Sequence, residues 1–475
     1  MGETVNGAPE EKLTSPLPFL IGTFLLATAM IVRWGDGPAI LFATALLLFG
    51  IGTFAPLSKV ARFGSRALSP IAIAGLAGQL GWAMSEMPML AKQAPVPMLT
   101  DGSYGWAACG ACAVAAIAFD ARRARTWLVV AAVLSAFMCI SIVRFNPAPY
   151  LDVHLFHLQA FDALRAGQSP YGRTIPNLYP GANFYGLDVL TPDQSRVLIG
   201  YPYPPLQLML SFVTHLLAGN YRFLHALAIP LSALLMVWAR PGRAATAAAA
   251  LMLLLPCAFH LLTGAWTEPV LALLFSLTLF ASLRAPRLLP YALGLFFADK
   301  QYALLLAPLA FFLLPRPLSA REIVRTALIA GAVGLAVSLP LALGNLQGFI
   351  DDVLLFQVRQ PFRPDSINLS AAIFAHTAQM LSSSVSFIAL ALGLGLSVWR
   401  APRTPLGFCA AAALSLGLFF FFAKQAFENY LMFVSCCALW AAALSGSGET
   451  EAARGSASAN VSAAAASPIV VEVAA

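Results

Sequence analysis

Fourteen apolar runs, many of them near the twenty residues of a bilayer crossing, limit what this chain can become. They fall near 17–33, 38–55, 70–90, 104–119 and 127–143, and again near 221–238, 244–262, 269–283, 288–298, 301–314, 324–342, 383–398, 405–422 and 428–444. A soluble core cannot absorb them: 59% of the chain is hydrophobic, 10% is charged and the mean hydropathy is +0.78. Inside lipid every backbone N–H and C=O needs an internal partner, so the runs predict helices. The expected fold class is an all-α, polytopic transmembrane bundle of about 14 helices.

Basic turns orient the bundle. Lys59/Arg62/Arg66, Arg122/Arg123/Arg125, Arg240/Arg243, Arg284/Arg287, Arg316/Arg321/Arg325 and Arg400/Arg403 hold fifteen of the 28 lysines and arginines, with Asp120 and Glu322 as the acids nearby. By the positive-inside rule these turns are cytoplasmic and the intervening segments face outward. No nucleic-acid partner is expected. Residues 1–15 are polar, with no cleavage pattern after the first run, so no removed signal peptide is expected. Residues 1–16 and the Ala/Ser-rich 446–475 read as disordered cytoplasmic tails. The helices of 17–126 read as an added N-terminal four-helix block, and 127–445 as the principal module, with outer loops 144–220 and 343–382. Cys109 and Cys112 form a CxxC in Ala-rich span sequence and read as small packing residues.

Two stretches strain this scheme. Residues 204–219 are apolar enough to cross, yet Gln207, Ser211, Thr214 and His215 recur on one side at helical spacing, which predicts an amphipathic helix in the outer interface. Residues 288–314 carry Asp299 and Lys300 in their middle and basic groups at both flanks, which predicts two short passes meeting at an outer turn.

The polar segment Asn146–Pro205 is too long for a turn and too rich in Tyr, Pro and Gly for a span. Its Asp152 follows Pro147 and Pro149 at the start of a predicted helix, a place that suits an N-cap as well as a reactive carboxylate. His154 and His157 lie one turn apart without a third ligand at motif spacing, so no metal is expected and they read as interfacial polar residues. Glu268 in GAWTEP is a solvated turn carboxylate or a site residue. Lys300 either pairs with Asp299 or serves a site, since an ammonium at membrane depth is costly. Arg359 and Arg363 are interfacial anchors or a fork for phosphate. Lys424, Asn429 and Tyr430 stand at the outer start of the last run. Tyr171, Tyr179, Tyr185, Tyr201 and Tyr203 offer faces to a sugar or anchor the belt.

In their order these motifs resemble the GT-C superfamily of integral-membrane glycosyltransferases, and within it glycosyltransferase family 87, the polyprenol-phosphate-mannose-dependent mannosyltransferases. The matching elements are YLDVHLFHL opening the first large outer loop, YPYPPLQ closing it, GAWTEP, ADKQYALLLAPL and RQPFRPDSINLS, across about 127–444. The four preceding helices depart from the simplest members, and GAWTEP stands where many relatives carry GQ or Asp. The resemblance implies an inverting transfer of a monosaccharide, mannose in that family, from a polyprenyl phosphate to a lipid or glycan acceptor. The reaction would take place on the extracytoplasmic face of a bacterial inner membrane, among membrane lipids and without a cofactor. It assigns Asp152 as catalytic base; beside it, the basic residues themselves read as donor-phosphate ligands, Lys300 with Arg359 or Arg363. Tyr203, Gln207, Glu268, Lys424, Asn429 and Tyr430 become substrate-binding candidates. The competing class is a non-enzymatic transporter or lipid-linked-sugar flippase, which would place ionisable groups near the midplane on repeated broken helices.

Overall fold

The computed structural model describes residues 15–32, 35–55, 67–81, 97–119, 121–182, 184–255 and 257–445. The disorder expected of 446–475 and of all but the last two residues of 1–16 lies outside them, as does the turn Lys59/Arg62/Arg66. Of the described residues 76% are helical, in about 18 helices. Six helices among the described residues are long and apolar enough to cross a membrane: Gly37–Phe54, Arg122–Phe145, Arg222–Ala239, Ala320–Arg359, Ser383–Arg400 and Glu428–Ser445. The chain is a membrane protein of nearly all-α architecture. Several of the fourteen runs form shorter helices. The run 244–262 is divided into Arg243–Leu253 and Cys257–Thr263, because Pro256 disfavours helix in the residue before it.

The last helix, Glu428–Ser445, is the hub of the bundle, 94% buried along its length. It packs against Leu17–Ala29, Arg243–Leu253, Glu268–Arg284 and Pro405–Phe421. Alanine runs at 247–250 and 410–413 are fully buried, and such small side chains let helix backbones approach closely where hydrophobic transfer no longer drives packing. The N-terminal helices share this core. Leu17–Ala29 lies on the hub, Gly37–Phe54 on Pro405–Phe421, and Pro97–Ala118 on Arg243–Leu253.

The ends of the bundle separate the charges. Arg284 Nε donates to the Ala239 carbonyl at 2.7 Å, Arg316 to the Arg403 carbonyl at 2.9 Å, and Ser282 to the Leu313 carbonyl at 2.8 Å. Four of the basic turns therefore gather at one end. At the opposite end Arg222 donates to the carbonyls of Asn146 and Leu262. Lys300 lies there beside Glu268, while Leu313 lies beside Ser282, so Gln301–Leu313 runs alongside Glu268–Arg284. The expected break at Lys300 is present: Leu289–Asp299 ends, Lys300 is extended, and Gln301–Leu313 continues as a 3₁₀ helix. Eleven α-helical residues reach about 16 Å. Thirteen in the longer 3₁₀ rise reach about 26 Å, so the second pass is nearly a full crossing.

Two expectations need correction. The segment 343–382 is not all loop, because the helix from Ala320 runs on through 3₁₀ and π turns to Arg359. Gly344-Asn345 fails to stop it: Asn345 Oδ1 accepts the Gly348 N–H at 3.0 Å and caps the next turn. The amphipathic helix is present at Pro205–Ala218, with Gln207 and Ser211 fully buried against the protein and Val213, Leu216 and Leu217 exposed. Its polar face therefore seals to protein, and its apolar face is the outer one.

Candidate active site

Pro147 and Pro149 end the Arg122–Phe145 helix, and a new helix, Asp152–Arg165, begins at Asp152. Leu151 occupies the cap position without a side-chain bond. Asp152 Oδ1 accepts its neighbour Val153's N–H at 2.8 Å, and Oδ2 accepts the Tyr185 hydroxyl at 2.9 Å. Burial raises the carboxyl's pKa above the usual aspartate value, against the Tyr185 bond, the Val153 N–H and the Arg363 charge, which lower it. Burial also pushes the Tyr185 hydroxyl well up, so it keeps its proton and donates. Each carboxylate oxygen accepts one bond and retains a free lone pair, as a proton acceptor requires.

The helix is fixed from behind by its two histidines. His157 Nδ1 lies 2.7 Å from the Val153 carbonyl, which can only accept, so Nδ1 carries the proton and Nε2 takes the Tyr201 hydroxyl at 3.0 Å. The ring stacks on Tyr221 at 4.3 Å. His154 Nδ1 lies 3.2 Å from the Tyr221 hydroxyl. Burial holds the pKa of His154 at about 4 and that of His157 at about 3. They are neutral members of a buried aromatic cluster, not interfacial residues as the sequence led us to expect. Leu155 and Leu158 interrupt the apolar face of Val153, Phe156, Ala160 and Leu164, and nothing local announced Tyr201 and Tyr221 as partners.

Lys300 does not pair with Asp299. Its Nζ lies 2.8 Å from Glu268 Oε1 and 2.5 Å from Thr267 Oγ1, and 4.5 Å from the centre of the Tyr203 ring. Three directions thus use three ammonium hydrogens. Glu268 is fully buried rather than a solvated turn residue, and its Oε1 also accepts from Asn429 at 2.9 Å. Both Asp299 oxygens are buried, with no hydrogen-bond partner among the described residues.

Arg363 is forked onto Asp365 at 2.8 and 2.7 Å and lies over the faces of Phe184, at 4.0 Å, and Phe427, at 4.9 Å. Its partner carboxylate is more than half exposed, so this pair is far looser than Lys300–Glu268. Lys424 Nζ donates to the carbonyls of Val358 and Gln360 at 2.8 and 2.5 Å. Burial lowers its pKa.

These groups meet at one cavity of about 770 Å³. Asp152, Tyr179, Tyr185 and Tyr203 line it from the polar segment Asn146–Pro205, Lys300 from the broken helix pair, Arg363 from the non-helical stretch after Arg359, and Lys424, Asn429 and Tyr430 from the start of the hub. Glu268 lies behind Lys300. Arg359 and Gln207 do not line the cavity: Arg359 faces Asp351 at 3.9 Å, and Gln207 is buried beside His225 and Ser211. Tyr171 and Tyr201 are buried in the aromatic core. The cavity also has an apolar side. Rings step from Tyr430 to Phe420 at 4.7 Å, to Phe419 at 5.3 Å and to Phe387 at 5.3 Å, and Phe387 is 55% exposed on the helix Ser383–Arg400. Gln301 was not singled out in the sequence, yet its amide ties the Pro202 and Val353 carbonyls together across the cavity wall at 2.8 and 3.0 Å.

Fold and site define a class: a polytopic, nearly all-α membrane protein with a charged cavity that opens along an aromatic path toward an apolar helix face. No family model, curated protein or solved structure matches this chain.

Proposed function

We propose that the protein is an inverting GT-C-type glycosyltransferase that moves a monosaccharide from a polyprenyl-phosphate donor to a lipid or glycan acceptor on the extracytoplasmic side of a bacterial inner membrane. The observation that carries this reading is the two-sided cavity. Asp152, Arg363 and Lys424 share it with a path of rings ending on an exposed helix face, which suits an anionic headgroup on a long apolar tail.

Asp152 accepts the proton of the acceptor hydroxyl as that oxygen bonds the anomeric carbon. The bond from that carbon to the phosphate oxygen breaks, and the electron pair leaves with the polyprenyl phosphate. The charge that collects on the phosphate falls to Arg363, which can exchange the exposed Asp365 for it, and to Lys424. Lys300, already surrounded by Thr267, Glu268 and Tyr203, acts by holding the Tyr203 ring and the cavity wall. A phosphate leaving group needs no acid catalyst, so one carboxylate suffices.

The test is direct. The purified protein in detergent, given polyprenyl-phosphate mannose and a second polyprenyl-phosphate hexose, should consume one donor and release polyprenyl phosphate. Asp152→Asn keeps the shape and, through its one carbonyl oxygen, the Val153 bond, while its amide N–H can donate to the Tyr185 hydroxyl oxygen, and it should slow release about 10²–10⁴-fold. Donor that crosses liposomes intact, without release of phosphate lipid, would establish the flippase class instead.

A further inference from the structure

The polar segment Asn146–Pro205 and the helical turns 346–359 are separate in sequence but meet along a seam behind the cavity. At its centre is Asp352, which is 1% exposed. It sits on the π-helical turn Ile350–Leu355. That turn is where Asp352 and Val353 point inward while Asp351 and Leu354 stay at the surface. Local π geometry inserts a residue into an α-helix and is frequent at functional sites. Asp352 Oδ2 accepts the Gly172 N–H at 2.7 Å, and the carboxylate also takes the Gly200 N–H. Asn345 Nδ2 adds a bond to the Tyr171 carbonyl at 3.1 Å.

The backbones approach too closely here for side chains. A Cβ on Gly200 would lie 2.6 Å from both Asp352 Oδ2 and the Pro170 carbonyl oxygen, and one on Gly348 would lie 2.6 Å from the Gly172 nitrogen. Both strands held by Asp352 lead to Tyr203. Gly200 is three residues before it, and Gly172 follows Tyr171, whose hydroxyl donates to the Tyr203 carbonyl at 3.2 Å. Tyr203 in turn covers Lys300 in the cavity.

We infer that Asp352 is a positioning residue: by gripping Gly172 and Gly200 it docks the polar segment onto the π turn and sets where Tyr203 stands in the cavity. Only the activity arm of its test rests on the function proposed above.

The test is hydrogen–deuterium exchange on the full-length protein in detergent. Asp352→Ala should speed exchange in peptides covering 168–175 and 198–204 roughly tenfold, as expected for loss of bonds to a charged acceptor. Peptides from the hub helix should be unchanged. Asp352→Asn, which keeps the shape and one oxygen acceptor, should recover most of the protection, and Asp352→Leu, which fills the space without an acceptor, should not. Gly200→Ala leaves the charge intact and adds one methyl in the seam. It should give the same local pattern, and it carries the test if Asp352→Ala fails to fold. Unchanged exchange in both peptides for Gly200→Ala, or no recovery with Asp352→Asn, would overturn the inference. In the activity arm, Asp352→Ala should lower kcat with little change in donor KM. If the wild type consumes no donor, the glycosyltransferase reading falls and the exchange data alone judge Asp352.

Discussion

Removing the Lys300 ammonium should destabilise the protein more than most single substitutions, and the Lys300–Glu268 geometry sets the size. Glu268 is fully buried, and Lys300 is the cation paired with it among the described residues, at 2.8 Å. In Lys300→Met the carboxylate keeps the Asn429 amide at 2.9 Å and the Tyr302 hydroxyl at 3.5 Å, two neutral donors for a buried charge. Breaking such a pair from one side costs about 3–5 kcal/mol, whereas replacing both partners is often near neutral. Glu268→Gln removes the counter-charge of Lys300 in the same way, with the neutral amide oxygen, the Thr267 hydroxyl and the Tyr203 face left to it. The double variant Lys300→Met/Glu268→Gln should therefore be more stable than either single one. Thermal inactivation of all four proteins in one detergent, at one scan rate, gives the comparison, since unfolding of such a protein is governed by rate. The expected order of stability is wild type, then the double variant, then both singles. An ammonium held unpaired for a ligand would behave in the opposite way, because deleting a desolvated free charge stabilises. A Lys300→Met protein at least as stable as wild type, or a double variant less stable than both singles, would refute the pairing and return Lys300 to the phosphate.

Two further outcomes follow from the same geometry. His157 binds its proton with a pKa near 3 in the folded protein against 6.5 when free, so the unfolded chain holds more protons between those values; stability should fall as pH drops from 6.5 toward 3, by at most about 1.4 kcal/mol per pH unit from this residue, and His157→Gln should flatten that slope in inactivation scans. Cysteines placed at Pro180 and Gln360, in a background without native reactive thiols, should react in intact cells with a membrane-impermeant reagent while one at Arg125 should not; the reverse pattern would invert the orientation.

The membrane class, the break at Lys300 and the amphipathic helix Pro205–Ala218 were legible because each is local. Run length, a charge inside an apolar stretch and polar residues at helical spacing are properties of a dozen neighbouring residues. The gathering of basic turns at one end was legible for the same reason, being a pattern of composition. What escaped the sequence were pairings across long separations. Lys300 has an acid beside it in the chain, and the adjacent Asp299 was the natural partner to name, yet the turn aims the ammonium at Glu268, 32 residues away. The two histidines of the helix Asp152–Arg165 looked interfacial because their burying partners, Tyr201 and Tyr221, come from the far end of the polar segment and from the cap of the helix Arg222–Ala239.

The same distinction sorts the candidate site. Arg359 and Arg363 are equivalent in sequence, two arginines flanking Gln-Pro-Phe, but the helix from Ala320 ends at Arg359 and Gln360 begins an extended stretch. Arg359 thus belongs to the outer surface of a helix, facing Asp351 one carboxylate along. Arg363 follows the change of direction, is fastened by its own N–H to the Lys424 carbonyl at 3.0 Å, and is thereby brought between Phe184 and Phe427 in the cavity. One backbone bond, not the identity of the side chain, separates an exposed arginine from one that reaches the site, and such a bond leaves no mark in the order of residues.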